Sequence, residues 1–262
     1  MLITKTYAIL VLNTGSRHNG TKIPPFFLES VDSTQAVLKL KLSGNGTLAS
    51  FTTVVAKSQT AGRGRGVSVW HDEPGKCALF SVYILWAPKL ENSFLVNQWV
   101  CHCLKSILPG SIGFKWPNDL MVGDRKLGGM LIENHWSGGG IKSSIIGIGL
   151  NVLKPERFLE RAISLEELGL DIDADEVIKE ILYCFESQLG TVQNKTLLHR
   201  RYADMLWGKE DFKSYRLANG TEIQAKVTGT DQQGRLILED RLGKTTPFDI
   251  DAVKWIDPYQ KS

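Results

Sequence analysis

Apolar and polar positions alternate differently before and after residue 208. Residues 26–31 form a short apolar run of strand type, and Asp32-Ser33-Thr34-Gln35 follows. Asp32 and Ser33 are both N-cap types and Gln35 lies three positions after Asp32. This resembles a capping box and predicts a helix through Ala36, Val37, Leu38 and Leu40. The β-branched stretch 51–56 predicts a strand, and 58–70 a loop rich in Gly and Arg. The long apolar run 77–86 suits a strand buried on both faces. Residues 93–108 carry helical spacing that stops before Pro109-Gly110. Strands are then predicted at 112–116, 120–122, 126–133 and 143–152, with turns at Gly123-Asp124 and 137–140. Val177, Ile178, Ile181, Leu182, Phe185 and Leu189 recur at helical spacing over 175–189, and 195–206 is helical too.

Past Trp207-Gly208, short strands alternate with tight turns. They fall at 222–228, 235–239, 245–249 and 253–256, with Gln233-Gly234 and Leu242-Gly243 between them. The expected division is therefore a domain over 1–210 and a small β-barrel over 211–262. The fold class is α+β, a mixed β-sheet with flanking helices.

Composition changes this picture little. The 262 residues carry a net charge of +3 and 42% hydrophobic residues, ordinary for a globular protein. Neither internal repeats nor low-complexity segments stand out. Cys77, Cys101, Cys103 and Cys184 make no C-x-x-C pair, which argues against zinc and for a reducing compartment. Residues 1–12 have no clear signal-peptide layout, and 77–88 is too short to span a bilayer, so the expected location is the cytoplasm, with no membrane partner.

Three segments carry candidate chemistry. Gln59-Thr60-Ala61-Gly62-Arg63-Gly64-Arg65-Gly66 combines free backbone N–H groups with forked cationic donors suited to carboxylate or phosphate. Two unit charges about 4 Å apart interact by about 4 kcal/mol at an effective dielectric near 20, enough to hold one anion against another. The segment has neither Walker A nor Rossmann spacing. By composition it serves equally as a basic surface loop or an RGG-like tract. Lys115-Trp116-Pro117-Asn118-Asp119, followed by Asp124 to Glu133, clusters a lysine, an amide and a carboxylate at a strand end. Gly128 and Gly129 then sit inside a strand, where glycine often marks close approach by a ligand or backbone. Taken alone, this segment is as well explained by a polar hairpin. Gly147-Ile148-Gly149-Leu150-Asn151 ends a buried strand, either as a kink or to present an amide to a ligand.

In this order, the three segments resemble those of the biotin protein ligases, over 26–152 and more weakly at 229–239. The resemblance implies a catalytic sheet related to the class II aminoacyl-tRNA synthetases, an SH3-like C-terminal barrel, and activation of biotin by ATP with Mg²⁺. It implies a biotin pocket of Ser33, Thr34, Gln35 and Gln59, closed by Arg63, Gly64 and Arg65, with Lys126 on the biotin carboxylate. Arg63, Arg65, Trp70, Asn118, Lys126 and Asn151 would bind ATP or the adenylate, and Trp116 would cover apolar parts of biotin. Arg63, Lys126, Asp119 and Lys115 would serve catalysis, with Asp119 handling the proton of the acceptor lysine. The implied partner is a biotin carboxyl carrier protein or the carrier domain of a biotin-dependent carboxylase. No nucleic-acid partner is implied, and exposed strand edges leave room for a homodimer.

Two positions depart from the family pattern: Gly66-Val67 stands where x-Gly is usual, and Gln35 replaces Asn. With only 25 residues before Phe26, the expectation is a ligase without the DNA-binding domain of repressor types. A lipoate or octanoate ligase or transferase is the runner-up. It shares the fold and the lysine, but Arg-Gly-Arg stands where those proteins carry glycines. An RNA-binding protein is a more distant alternative, for which a net charge of +3 is low.

Overall fold

The computed structural model describes residues 23–43, 47–156 and 161–257. The N-terminal segment 1–12, expected to carry no signal peptide, lies outside the described residues.

A seven-stranded sheet organises the first part of the chain. Its strands are β1 (Phe26–Leu28), β2 (Thr53–Ala56), β3 (Cys77–Leu90), β4 (Ile112–Lys115), β5 (Asp119–Val122), β6 (Arg125–Ser137) and β7 (Gly140–Asn151). They lie in the order β1-β2-β3-β7-β6-β5-β4. Only β1 and β2 pair in parallel, so the sheet is mixed. The apolar run at 77–86 is central, flanked by β2 and β7 and buried along nearly its whole length, as expected of a strand covered on both faces.

The period-two geometry of the strands sends alternate residues to two different helix layers. Val54, Tyr83 and Ile145 pack with Leu38 of helix α1 (Thr34–Ser43) on one face. Their neighbours Val55, Val82, Ile84 and Ile146 join the main core on the other face. That core includes α2 (Ser93–Ile107), α3 (Ala174–Ser187) and α4 (Lys195–Met205). These three helices start at side-chain caps: Asn92, Asp173 and Asn194 each accept a hydrogen bond from a first-turn backbone N–H.

Helix α1 begins differently from expectation. Gln35 is turned into the protein, and Asp32 accepts from Thr60 Oγ1 at 3.0 Å, so Asp32 and Gln35 do not form a capping box. The Thr34 N–H is instead taken by Gln59 Oε1 at 2.8 Å, from a segment 25 residues away.

A second sheet follows Gly208, with strands β8 (Lys213–Leu217), β9 (Glu222–Thr230), β10 (Leu236–Asp240), β11 (Thr245–Phe248) and β12 (Val253–Trp255). β8 escapes the hydropathy pattern because Tyr215 is its one buried residue. The strand order β11-β10-β9-β8-β12 makes an antiparallel sheet whose outer strands are not paired with each other, so among the described residues the second sheet is present but its closure into a barrel is not. The hydrophobic core runs on through Tyr215, Val227, Leu236 and Leu238, joining the two sheets. Specific contacts add to this: Trp116 Nε1 donates to the Gly234 carbonyl at 2.9 Å, and Trp207 Nε1 to the Gly123 carbonyl at 2.7 Å.

Candidate functional site

A cavity of about 50 Å³ lies on the α1 face of the large sheet, between the N-terminus of α1 and the hairpin at 58–70. Its floor follows from strand register. Gly129 of β6 is opposite Gly149 of β7, and Leu131 is opposite Gly147. Each glycine makes room for one particular group. A Cβ on Gly149 would lie 2.6 Å from the indole of Trp70, and one on Gly147 would lie 2.6 Å from Gln35 Oε1. Gly129 faces the end of the Lys126 side chain. The closeness that glycines within strands imply is realised in the packing of the chain against itself.

The closed end of the cavity is neutral and polar. Ser33, Thr34 and Gln35 are nearly inaccessible to solvent. Thr34 Oγ1 is 2.8 Å from Ser81 Oγ, and Ser81 donates to Gln35 Oε1 at 3.1 Å. Gln35 Nε2 donates to Glu133 Oε2 at 2.8 Å and to the Ile145 carbonyl at 3.3 Å. Because Gln59 Oε1 is occupied by the Thr34 N–H, its Nε2 donors remain for a ligand. Asp72 accepts from the Gln59 backbone N–H at 3.3 Å, and burial raises its carboxyl above the usual range. Leu131, opposite Gly147, is the apolar residue on this face, while Phe80, Met130 and Ile148 border the cavity from positions whose side chains belong to the main core.

The open end is charged. Lys126 Nζ sits 2.7 Å from Asp119 Oδ1 and 5.7 Å from the centre of the Trp70 ring. Lys115 Nζ approaches the other Asp119 oxygen at 3.9 Å and lies over the Trp255 ring at 4.8 Å. Burial holds Lys115 below the usual lysine range, against the opposing pull of Asp119. The Trp70 Nε1 hydrogen is buried without a partner among the described residues, beside this cationic end. Arg63 and Gly64 roof the cavity from the hairpin, which is closed by Gly64 N–H to Ser68 O at 2.8 Å and Trp70 N–H to Gly62 O at 3.0 Å.

Nine of the residues selected from sequence line the cavity: Ser33, Thr34, Gln35, Gln59, Arg63, Gly64, Trp70, Asn118 and Lys126. Asp119 and Lys115 stand just behind Lys126. Three others are placed elsewhere. Arg65 makes a forked ion pair with Asp251 of the second sheet. Asn151 spends its amide hydrogens on the carbonyls of Lys126 and Ile163, at 3.2 and 3.1 Å. Trp116 is held against the Gly234 turn rather than the cavity. Residues not anticipated are Ser81, Glu133, Asp251 and Trp255. Ser81 carried a signal, as the one small hydroxyl residue in the apolar run 77–86. Glu133 closes the second segment but drew no role there, and Asp251 and Trp255 carried no signal for the site.

A wider groove of about 450 Å³ adjoins the cavity and shares Asn118, Met130 and Leu131 with it. Its far wall comes from the second sheet, through Gln233, Gly234, Arg235, Asp249 and Ile250. Among the described residues, no three His, Cys, Asp or Glu side chains converge to hold a metal ion. No helix among them is long and apolar enough to cross a membrane.

The chain is similar to several known proteins. The bifunctional ligase/repressor BirA of Bacillus spizizenii is 31% identical over 211 residues, covering 73% of this chain and 62% of that protein. The chain thus spans about three fifths of the length of that relative. BirA of Escherichia coli is 28% identical over 228 residues, with 81% and 68% covered. The biotin protein ligase from Aquifex aeolicus, solved in complex with biotin and ATP, superposes with a TM-score of 0.69 at 26% identity. That superposition covers 88% of this chain and 98% of the other. Residues 27–151, which hold the whole cavity floor and its hairpin roof, match the biotin/lipoate A/B protein ligase family.

Proposed function

We propose that the chain is a biotin protein ligase. In this reading it joins biotin to ATP, giving biotinyl-5′-AMP and pyrophosphate, and passes the biotinyl group to a lysine of a carrier protein. The observation that carries this reading is the two-ended cavity. Its closed end offers neutral donors and acceptors, and its open end offers Lys126 and Arg63. Biotin has the matching ends, a ureido ring and a carboxylate. Lipoate shares the carboxylate, but its dithiolane ring forms no strong hydrogen bonds and would leave the buried polar groups unsatisfied. Each such group costs about 1–3 kcal/mol.

In the first step a carboxylate oxygen attacks the α-phosphorus of ATP, the new C–O–P link forms, and pyrophosphate leaves with the electron pair. A carboxylate is already ionised at neutral pH, so no base is needed. The obstacle is repulsion between two anions. Lys126 and Arg63 offset it, and Trp70 Nε1 is a further donor at the same end. Mg²⁺ would reach the site on the ATP phosphates, because the side chains here build no metal cage of their own. The adjoining groove gives the triphosphate, and afterwards the acceptor lysine, an approach through Asn118, which lines both the groove and the cavity that holds Lys126. In the second step the neutral lysine nitrogen attacks the acyl carbon, and AMP leaves with the electron pair. Asp119, between Lys126 and Lys115, takes the amine's proton.

The hairpin at 58–70 must lift for biotin to enter and then shields the adenylate from water. We divide the chain into a catalytic unit, residues 1–210, and an SH3-like unit, 211–262, whose turns complete the groove. An ATP-consuming enzyme with four free thiols suits the cytoplasm.

The test is to incubate the protein with ATP, Mg²⁺ and either biotin or lipoate. Pyrophosphate and acyl-AMP are then followed by enzymatic assay and mass spectrometry. Biotin-dependent release with biotinyl-AMP supports the assignment, lipoate-dependent release transfers it to the sister activity, and silence with both overturns it.

A further inference from the structure

The hydrogen bonds at the closed end run in one direction, and a carboxylate behind the cavity sets that direction. Glu133 lies on β6, with Oε1 2.5 Å from Lys39 Nζ and Oε2 2.8 Å from Gln35 Nε2. A carboxylate only accepts, so the Gln35 atom facing it must be the amide nitrogen. The same nitrogen reaches the Ile145 carbonyl. The amide oxygen is therefore turned to the opposite side, over Gly147, where it takes the hydrogen of Ser81. With the Ser81 hydrogen given to Gln35, the one Thr34 hydroxyl hydrogen goes to Ser81 at 2.8 Å or to Gln59 Oε1 at 3.2 Å, and either way Thr34 Oγ1 turns a lone pair to the cavity. Gln59 is fixed independently, because the backbone N–H of Thr34 only donates.

We infer that Glu133 is a positioning residue for ligand recognition. Through Gln35 it orients the Ser81 and Thr34 hydroxyls so that the closed end offers oxygen acceptors beside the Gln59 N–H donors. The matching ligand is a ring that donates from N–H and accepts at C=O, so the inference rests on the biotin reading. With an amide at position 133 the charge-assisted bond is lost and only the Ile145 and Leu131 carbonyls hold the Gln35 nitrogen, so the flipped form is less strongly disfavoured. In the flipped form Ser81 loses its acceptor and its hydrogen turns towards the cavity, donor against donor with a ureido N–H. A glutamine in this place is long enough to reach β6. Gly147 leaves it the space to do so.

The experiment measures biotin affinity by calorimetry, and KM and kcat for biotin-dependent pyrophosphate release. The proteins are the wild type, Glu133→Gln, Gln35→Met and the double variant. Glu133→Gln should weaken biotin about tenfold and raise its KM by a similar factor, with kcat within about twofold. The double variant should bind no more weakly than Gln35→Met alone, since Glu133 acts through Gln35. Additive losses, a fall in kcat at unchanged KM, or unchanged affinity in Glu133→Gln would overturn the inference while leaving the ligase reading intact. A wild type that binds no biotin overturns both. A measurement on the unaltered protein covers the case of a variant that does not fold. The Nε2 hydrogens of Gln35, followed by NMR with ¹⁵N-glutamine labelling, should exchange slowly with solvent, and fast exchange would overturn the assignment.

Discussion

At the closed end of the cavity Ser33, Thr34 and Gln35 are 2–4% exposed, and the groups facing the cavity are neutral. At the open end the Lys126 side chain is 40% exposed and held by a carboxylate. The difference separates two tasks. Buried neutral hydrogen bonds discriminate between ligands, because a wrong partner leaves a desolvated group unmet. Ion pairs at the edge of water contribute only about 0–1 kcal/mol, so a carboxylate or phosphate can exchange into them. Lys126 can therefore leave Asp119 for a substrate, whereas the Gln35 network has no reason to move.

The strongest way to break the comparison is at Lys126. Lys126→Ala should lower adenylate formation by about 10²–10³-fold, the range for removing one preorganised charge-stabilising group, while the melting temperature stays close to wild type. Activity within a few-fold of wild type, measured by pyrophosphate release, would show that the open end has been misread.

Gly149→Ala probes the place where the two ends meet. Its methyl would strike the Trp70 ring, which no far end of a flexible chain can relieve. We expect a loss of about 1–3 kcal/mol in stability by denaturant unfolding, and slower adenylate formation as the indole moves off Lys126. An unchanged unfolding midpoint would contradict the packing described here.

Lys115 sharpens the comparison through pH. Burial holds its folded-state pKa below the unfolded value, so the charged form is disfavoured by folding. The sign follows: the cost is fully present below the folded pKa and is relieved as pH rises towards the ordinary lysine range near 10.5. Lys115→Met should therefore be at least as stable as wild type near neutral pH, yet poorer in catalysis. The wild-type rate should decline on the alkaline side at a pH below that range. A variant less stable at pH 7, or a rate insensitive to alkaline pH, would remove Lys115 from the charged end.

The smallest effect is expected at Asp251, which holds Arg65 from the second sheet. Asp251→Ala should accelerate hydrogen exchange at the Gly64 and Ser68 amides in the hairpin by a few-fold, in line with an exposed pair. Added salt should produce a similar change in the wild type and little in the variant.

Part of the site was legible from residue type and spacing. The Gly-rich hairpin, Lys126, and the 33–35 triplet with Gln59 do converge on one cavity. Gly129 signalled close approach, though not by what, while Gly147 and Gly149 read only as a kink or the end of an amide-bearing strand. Glu133, Asp251 and Trp255 were invisible because their roles exist only through partners far along the chain. Arg65 and Asp251 are 186 residues apart. After Gly208 the strand pattern announced a second sheet, but alternation gives strands and not which edges meet.

By itself, the sequence determined most of the strands and helices, β8 excepted, since burial of an apolar face at a period of two or near 3.6 is a local property. It also determined the chemical inventory of the site. Only the tertiary structure decided the pairings: Gln59 rather than Asp32 or Gln35 on the first N–H of α1, Asn151 committed to backbone carbonyls, and Arg65 drawn to the second sheet. Local capping preferences are worth about 0.5–2 kcal/mol, small enough to yield when the fold brings a better-placed partner into a buried site.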